Sequence, residues 1–587
     1  MENKRKNIKK NEIVSLVITM IIIVMVNIIG SFVYTRFDLT SEKRYTLSDK
    51  SKEILKGLDD YVYFRVYLEG EFPAGFKKLR KETKEMLDEF RAFSKYIDYE
   101  FINPSESNDP SDREATYKIL YQSGLNNYTA TMQTNNGIQQ IMIWPGTLVS
   151  YREKEIAVDL LSAQSGQRQE TVLNNSSQDL EYKLISAIKD ITEGKSSTVA
   201  FIEGHGELND AEVYDIANTL ATKYTLRRIS IDEKMTALTH RDYDHDSNIV
   251  VKPIFDAIVI AKPTLPFSEK DKFIIDQYVM YGGKVLWLLD HVKADMDSLK
   301  TVESMMGTTL DVNLDDQLFR YGVRLNNNLL LAYPCAQIGL VTGQGNNIQS
   351  ALLPWYYFPL LSPASQHPIV KNLDAVKSDF TSSLETTTSA PEIQKIPLLK
   401  TSDYTKISSA PVYISLNILN ERPNPQMFPK KGQVTAYLLN GKFNSLYANR
   451  LPETLLNSNE IAFKDESVPT SMIVIADGDI IRNQFAQLDF AKKNNKRVGS
   501  PLPLGYDQYT NNTYGNKQFI ENAISYLVDG EGLINIHTRE LKIRLLDMNK
   551  VNSKQTTWQV VNVVLPSVVM VLFGFVMAFI RKKKYNK

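Results

Sequence analysis

Two uncharged apolar runs stand near the ends of the chain, and between them lies a long region that alternates strand and helix patterns. Residues 13–34 hold no charged side chain, and neither do residues 560–580. Each run matches the roughly 20 residues a helix needs to cross a bilayer core, so both are expected to be transmembrane helices. Between them, Ser48 is placed to cap a short helix with Ile54, Leu55 and Leu58 on one face. Tyr61–Leu68 then alternates strictly, as a half-buried strand does. Leu79, Thr83, Met86, Leu87, Phe90 and Phe93 form one helical stripe, and Ile97–Ile102 alternates again. Strand, helix, strand predicts a βαβ unit, of the thioredoxin-like kind in its opening. Residues 125–160 read as hairpins.

A second α/β unit follows. Leu180, Leu184, Ile188 and Ile191 mark a helix ending near Gly194. Thr198–Ile202, Thr225–Ile231, Ala257–Ala261 and Val285–Leu289 read as strands, with helices over 213–220 and 271–281. The second helix is stopped by Gly282-Gly283, as a left-handed cap requires. Apolar strands alternating with helices predict a parallel sheet covered on both faces. From about 320 to 410 the periodicity fades, and this stretch is expected to be irregular. Strand patterns return at Val412–Leu419, Val434–Leu439 and Met472–Ala476, and a last helix carries Phe519, Ile520, Ala523, Ile524 and Leu527.

Composition adds little to this until charge is mapped. Hydrophobic residues make up 43% and charged residues 23% of the 587, which is ordinary for a folded chain. Lys+Arg and Asp+Glu are both 68, so there is no basic excess of the kind nucleic-acid binders show. The positive charge sits at the two tips: Lys4, Arg5, Lys6, Lys9 and Lys10 before the first run, and Arg581, Lys582, Lys583, Lys584 and Lys587 after the second. Basic flanks favour the cytoplasm. Both termini are therefore expected inside, with residues 35–559 outside, in the periplasm of a bacterium's inner membrane. The first run has a long apolar stretch and no alanine before Ala74, so an uncleaved anchor is expected rather than a signal peptide.

The chemistry in the sequence is sparse. Gly194-Lys-Ser196 lacks the upstream glycine of a phosphate loop, because Lys189 stands there. Gly204-His-Gly206 and Gly343-Gln-Gly345 lack the third glycine of a dinucleotide fingerprint, having Asn209 and Ile348. ATP hydrolysis is thus expected in another chain, and no cofactor is called for. Glu203-Gly-His205-Gly-Glu207 lies just past a strand end, where open α/β sheets bind ligands. His205 with Glu203 or Glu207 could hold a metal or move a proton; equally, the glycines could set a turn whose histidine is held by local hydrogen bonds. Asp477-Gly-Asp479 could bind a cation or be a strand-ending turn with side-chain-to-backbone bonds. Cys335 is the single cysteine, which excludes an intrachain disulfide, a cysteine-based zinc site and a C-x-x-C redox pair. It is expected to be buried and unreactive. Trp355 and Tyr356, with Tyr357 and Phe358, read either as a partner-docking patch or as a segment packed into the core.

Residues 36–48, Arg-Phe-Asp-Leu-Thr-Ser-Glu-Lys-Arg-Tyr-Thr-Leu-Ser, directly follow the first apolar run. With Gly204-His-Gly-Glu207, His367-Pro-Ile-Val-Lys-Asn-Leu-Asp374, Gly441-Lys-Phe-Asn-Ser445, Ile475-Ala-Asp-Gly-Asp479 and Gly515-Asn-Lys-Gln-Phe519, the chain resembles the GldG proteins. These are gliding-motility-associated ABC transporter components of the Bacteroidetes. The resemblance implies an inner-membrane subunit working with an ABC permease and a separate ABC ATPase, in gliding or surface secretion. It also implies a Rossmann-like middle region, related to class I amidotransferases and similar to a domain of an intraflagellar-transport subunit. No catalytic residue carries over. The expected division is a basic tip and helix over 1–34, a thioredoxin-like unit over 35–175 and a Rossmann-like domain over 176–330. Residues 331–545 are an irregular insertion with further strands, and 546–587 a linker, helix and basic tail. The reading is a non-enzymatic membrane subunit that couples the transporter to a periplasmic ligand or partner. Its rivals are a periplasmic substrate-binding component with a small-molecule or glycan cleft, and a metal-dependent hydrolase centred on His205.

Overall fold

A computed structural model describes residues 14, 16–25, 46–134, 137–161, 169–194, 197–243, 249–342, 349–420, 424–452, 461–529, 532 and 555–585. Residues 36–45 of the opening motif, Asn27, the N-terminal basic tip, Lys587 of the C-terminal one, and Gly343-Gln-Gly345 lie outside them. The chain divides into two units, one made of its two ends and the other of residues 45–539.

In the first unit, Val560–Ile580 is the one helix among the described residues long and apolar enough to cross a membrane. It belongs to a continuous helix, Gln555–Tyr585, that runs through Pro566. Pro566 leaves the Asn562 carbonyl without its helical donor, and one residue on Ser567 Oγ donates to the Val563 carbonyl at 3.0 Å. The expected first span is described only as a shorter apolar helix, Leu16–Met25.

The second unit begins with helix α1 (Asp49–Lys56), capped by Ser48, whose side chain accepts from the Ser51 amide. Strand β1 (Val62–Val66) buries its alternate residues, and helix α2 (Ala74–Phe93) buries Leu79, Thr83, Leu87 and Phe90. Phe93, expected on that stripe, is exposed at the helix end. Strand β2 (Ile97–Phe101) lies parallel to β1. Strand β3 (Gly146–Tyr151) pairs antiparallel with β1 and forms a hairpin with β4 (Lys154–Asp159), giving the order β2-β1-β3-β4. Helix α3 (Leu180–Glu193) packs its apolar stripe on this sheet and ends at Gly194, φ +69°.

The larger sheet starts with β5 (Thr198–Glu203), helix α4 (Tyr214–Lys223), β6 (Thr225–Ser230) and β7 (Ala257–Ala261). Helix α5 (Glu269–Met280) and β8 (Val285–Leu288) follow. After α5, Gly282 turns at φ +96° and the Gly283 amide donates to Tyr278 O at 2.8 Å. A side chain at Gly283 would meet the Tyr278 ring at 2.3 Å. Strands β5, β6, β7 and β8 are mutually parallel along the ladder β6-β5-β7-β8. The next parallel neighbour comes from far along the chain.

Of the strands that come before that neighbour, four extend the same sheet: β9 (Cys335–Thr342), β10 (Gln349–Pro363), β11 (Gln394–Lys400) and β12 (Val434–Gly441). Strand β13 (Thr470–Ile475) pairs parallel with β8 on one side and antiparallel with β12 on the other. The full order is β9-β10-β11-β12-β13-β8-β7-β5-β6. Helix α6 (Asn516–Asp529) joins α4 on one face, over Val199, Val259, Leu286 and Ile473. Helix α5 covers the other, over Ala200, Ile258, Trp287 and Val474. Successive strand residues thus enter opposite cores, which is why these strands read as unbroken apolar runs.

The stretch expected to be irregular is strand-rich instead. Trp355, Tyr356, Tyr357 and Phe358 are consecutive in β10 and all buried. A strand covered on both faces shows no alternation, and the prolines at 354, 359 and 363 mask it further.

Candidate functional site

The parallel strands present their carboxyl ends at one edge, and three of them run from an apolar stretch into a charged residue. Strand β7 leads to Lys262, β8 to Asp290, and β13 to Asp477 and Asp479. One carboxylate oxygen from each of Asp290, Asp477 and Asp479 lies within 4.8 Å of the others. Asp477 is fully buried. Its Oδ1 accepts from the Asp479 amide at 2.7 Å and its Oδ2 from the Asp379 amide at 2.8 Å. Asp290 Oδ1 accepts from the Gly478 amide at 2.6 Å. Lys262 Nζ reaches Asp290 Oδ2 at 3.1 Å and also pairs with Asp479. Arg482 joins Asp479 at 3.4 Å to Glu212 at 2.8 Å, and Lys377 pairs with Asp379 at 2.9 Å.

The electrostatics follow from burial and crowding. Burial pushes the Asp477 carboxyl well above its ordinary range, and the neighbouring Asp479, Asp290 and Asp379 push it further. Asp290 and Asp379 are also raised, mainly by burial. Burial works against the Lys262 ammonium, but Asp290 and Asp479 outweigh it and its pKa is raised. The same balance raises Arg482, with Asp479 and Glu212 outweighing its burial.

Backbone geometry is unusual here too. Lys262 sits at φ +55° and Phe380 at φ +57°, a region that costs a non-glycine residue about 1–3 kcal/mol. A side chain at Gly478 would lie 2.6 Å from Lys262 Cβ and Cγ, so glycine is needed for the two loops to approach. Lys262, Asp379, Asp479 and Arg482 line a cleft of about 760 Å³, with Tyr506 and Tyr509 on its wall. That is the size range of small-molecule sites.

Of the two alternatives at Asp477 and Asp479, the structure shows the strand-ending turn. The turn has its side-chain-to-backbone bonds, and the carboxylates meet a third, Asp290. Lys262, Asp290, Asp379 and Arg482 were missed by sequence reasoning. The signal that could have found the first two was the same in each case: a buried apolar strand stopping abruptly at a charge.

The Glu203–Glu207 segment lies beside this cleft, not in its lining. His205 Nδ1 is 3.2 Å from Glu207 Oε1, and Nε2 is 3.1 Å from Asp271 Oδ2 at the start of α5. The ring stacks on Phe267 with centroids 3.7 Å apart. Burial disfavours its charge, yet the hydrogen bonds to Glu207 and Asp271 outweigh that and its pKa is raised. With both nitrogens engaged by carboxylates, the ring offers no free lone pair to a metal. Gly206 turns at φ +74°, and a side chain there would lie 2.1 Å from Thr264 Oγ1. Glu203 points elsewhere, to Arg228.

Trp355 and Tyr356 are 0% and 1% exposed, within a core that includes Tyr357, Phe358 and Phe380. Of the two readings, packing holds, and the docking patch is set aside. Cys335 is half-buried, and burial pushes its thiol up to about 12, so almost no thiolate exists near neutrality.

Residues 196–523, more than half of the chain, match the family described as an ABC-type uncharacterized transport system, and the chain belongs to that family. Residues 41–150 match a domain of unknown function, DUF7088. A protein of Borreliella burgdorferi described only as uncharacterized is 20% identical over 98% of this chain and 99% of its own length. The solved structure titled mmIFT52 N-terminal domain is 11% identical, covering 57% of this chain and 99% of its own, with a TM-score of 0.30. At that score it carries no argument about fold. The family and the apolar helix at 560–580 together support a membrane-associated component of an ABC transport system.

Proposed function

We propose that the chain is a non-enzymatic membrane subunit of an ABC transport complex that binds a ligand or partner in the cleft at the carboxyl end of its parallel sheet. The observation that carries this reading is the cleft itself: its size, its aromatic wall, and the charged side chains Lys262 and Asp479 that line it from two strand ends, with Asp379 and Arg482 beside them. Ligands of open α/β sheets bind at this edge, outside the carboxyl ends of the strands. In chain order the parallel strands run second, first, third, fourth, fifth across the sheet, the flavodoxin-like order, which supports the reading of this region as a doubly wound sheet of the broader Rossmann-like kind. The same cleft favours the substrate-binding alternative, for a small molecule or glycan, over a hydrolase built on His205, whose ring nitrogens are both engaged.

In this reading both apolar runs span the inner membrane, both termini are cytoplasmic, and residues 35–559 are periplasmic. The partners are an ABC permease and an ABC ATPase, and the setting is gliding or surface secretion, as in GldG proteins. Purification of the intact complex in mild detergent tests this. The expected result is co-purification with permease and ATPase subunits, with ATP turnover only when the ATPase is present. Turnover by this chain alone, or purification without any ABC subunit, overturns it.

A further inference from the structure

The turn after β5 and the cleft are joined by one short, heavily bonded loop. From His205 the chain runs through Leu208 to Glu212, whose carboxylate holds Arg482 at 2.8 Å. The Glu212 carbonyl accepts from the Asn483 amide at 2.9 Å, and the Ala211 carbonyl from Asn483 Nδ2 at 3.0 Å. Arg482 and Asn483 line the cleft. Residues 205–212 therefore brace one cleft wall from behind.

The other end of the brace is fixed by His205. Its carbonyl accepts from the Thr264 and Leu265 amides at 2.9 and 2.8 Å. Its amide donates to Glu207 Oε2 at 2.7 Å, and its ring bridges Glu207 and Asp271. Asp271 is itself tied down: its Oδ1 accepts from the Glu233 amide at 2.9 Å, and its amide donates to the Ser268 cap at 3.1 Å. The charged groups around the ring are few. Glu207 comes from its own turn and Asp271 from α5, while Glu233 sits behind Asp271 and is paired with Lys270 at 2.7 Å. Lys262, on the segment that leads to Thr264, is committed to Asp290 and Asp479.

A protonated imidazole donates to both carboxylates. A neutral one has a single N–H, so one buried carboxylate then faces a ring lone pair. Losing the proton thus removes one attachment and turns it into a repulsion. We propose that His205 is a pH-sensitive latch, closed when protonated, that sets how firmly residues 205–212 brace the Arg482 wall of the cleft. The idea rests on the cleft being the binding site, but the latch can be tested without any ligand.

The test is hydrogen exchange of the full chain in detergent, from about pH 5.5 to about pH 8.5, corrected for the intrinsic pH dependence of amide exchange. Segments 206–213 and 482–487 are followed, with β7 as a reference that stays protected. Protection of both segments should fall about tenfold or more across the histidine titration. His205→Gln should hold both at the loosened level throughout. Glu207→Gln removes one carboxylate and should move the transition to lower pH. Unchanged wild-type protection overturns the latch, as does a pH step that persists in His205→Gln or loosening confined to 206–213. If His205→Gln does not fold, the wild-type series and Glu207→Gln still decide. A cleft that binds nothing would leave these exchange results standing, so the two failures are distinguishable.

Discussion

Removing the Lys262 ammonium should be among the most damaging single changes in the parallel sheet. Lys262→Met keeps the length and apolar stem of the side chain and the same left-handed backbone, so only the charge and its donors are lost. What remains is Asp290 and Asp479 facing each other beside Asp477, with Arg482 and Lys377 as the nearest cations. The Lys262 side chain is 14% exposed and its partners 9% and 10%, so solvent screens them little. Breaking a buried pair from one side costs about 3–5 kcal/mol. Some relief is available, because Asp477 is already pushed toward its neutral form and Asp290 can follow. The expected loss is therefore near the lower end, about 3 kcal/mol. Each kcal/mol moves Tm by about 2 °C or less in a large domain, so the shift should be about 4–6 °C by thermal unfolding in detergent. The control is Lys262→Met combined with Asp479→Asn. If the loss is uncompensated charge, the double variant should recover at least about 1 kcal/mol relative to the sum of the singles. A Tm unchanged in Lys262→Met, or strictly additive singles, would refute the network as described.

Three other outcomes are expected. Gly283→Ala should destabilise by about 1–3 kcal/mol through overpacking against the Tyr278 ring, read as a drop in Tm, whereas an unchanged Tm would mean that the ring yields. Cys335 should react with iodoacetamide at neutral pH far more slowly than a free thiol, given a pKa of about 12, and mass spectrometry of the labelled chain would reveal fast modification if the burial is wrong. His367, packed edge-on to Tyr526, has its pKa lowered to about 4 by burial from an ordinary 6.5; the unfolded chain takes up this proton first, so stability should fall as pH drops from 6.5 towards 4, and His367→Gln should flatten that part of a Tm-against-pH curve.

Local patterns carried the N-terminal unit and the parallel strands well, because Ser48, Gly194 and Gly282-Gly283 mark helix ends by backbone chemistry that acts over a few residues. Ala257–Ala261 was readable to the residue, since five apolar side chains with no break leave one state. Strands β9–β11 were not readable, because Trp355–Phe358 is buried on both sides and has no period of two, whereas β12 was, at Val434–Leu439. The site was half visible. Asp477 and Asp479 announce themselves by standing two residues apart after a strand. Asp290 lies nearly 190 residues away, and only the parallel pairing of β8 with β13 brings them together. Glu203 and Glu207 looked equivalent in the sequence, but one faces Arg228 and the other His205, a difference of side-chain direction that no spacing encodes.

The pairing of β8 with β13 also sets an order of events in time. Residue 288 emerges about 180 residues before residue 470, and at 5–20 residues per second the delay is about 9–36 s. For that interval the growing chain holds four strands of a parallel sheet with one edge open and, until α6 arrives, one apolar face half bare. Loop closure over such a distance is slow compared with local helix formation. A nascent chain stalled anywhere between 290 and 470 would therefore carry an adhesive edge. The strands β9–β12, made during the wait, are candidates to occupy that edge in the wrong register before β13 is available. Quality control of this protein should be most sensitive to pauses and truncations in that window, and far less so to those before residue 195.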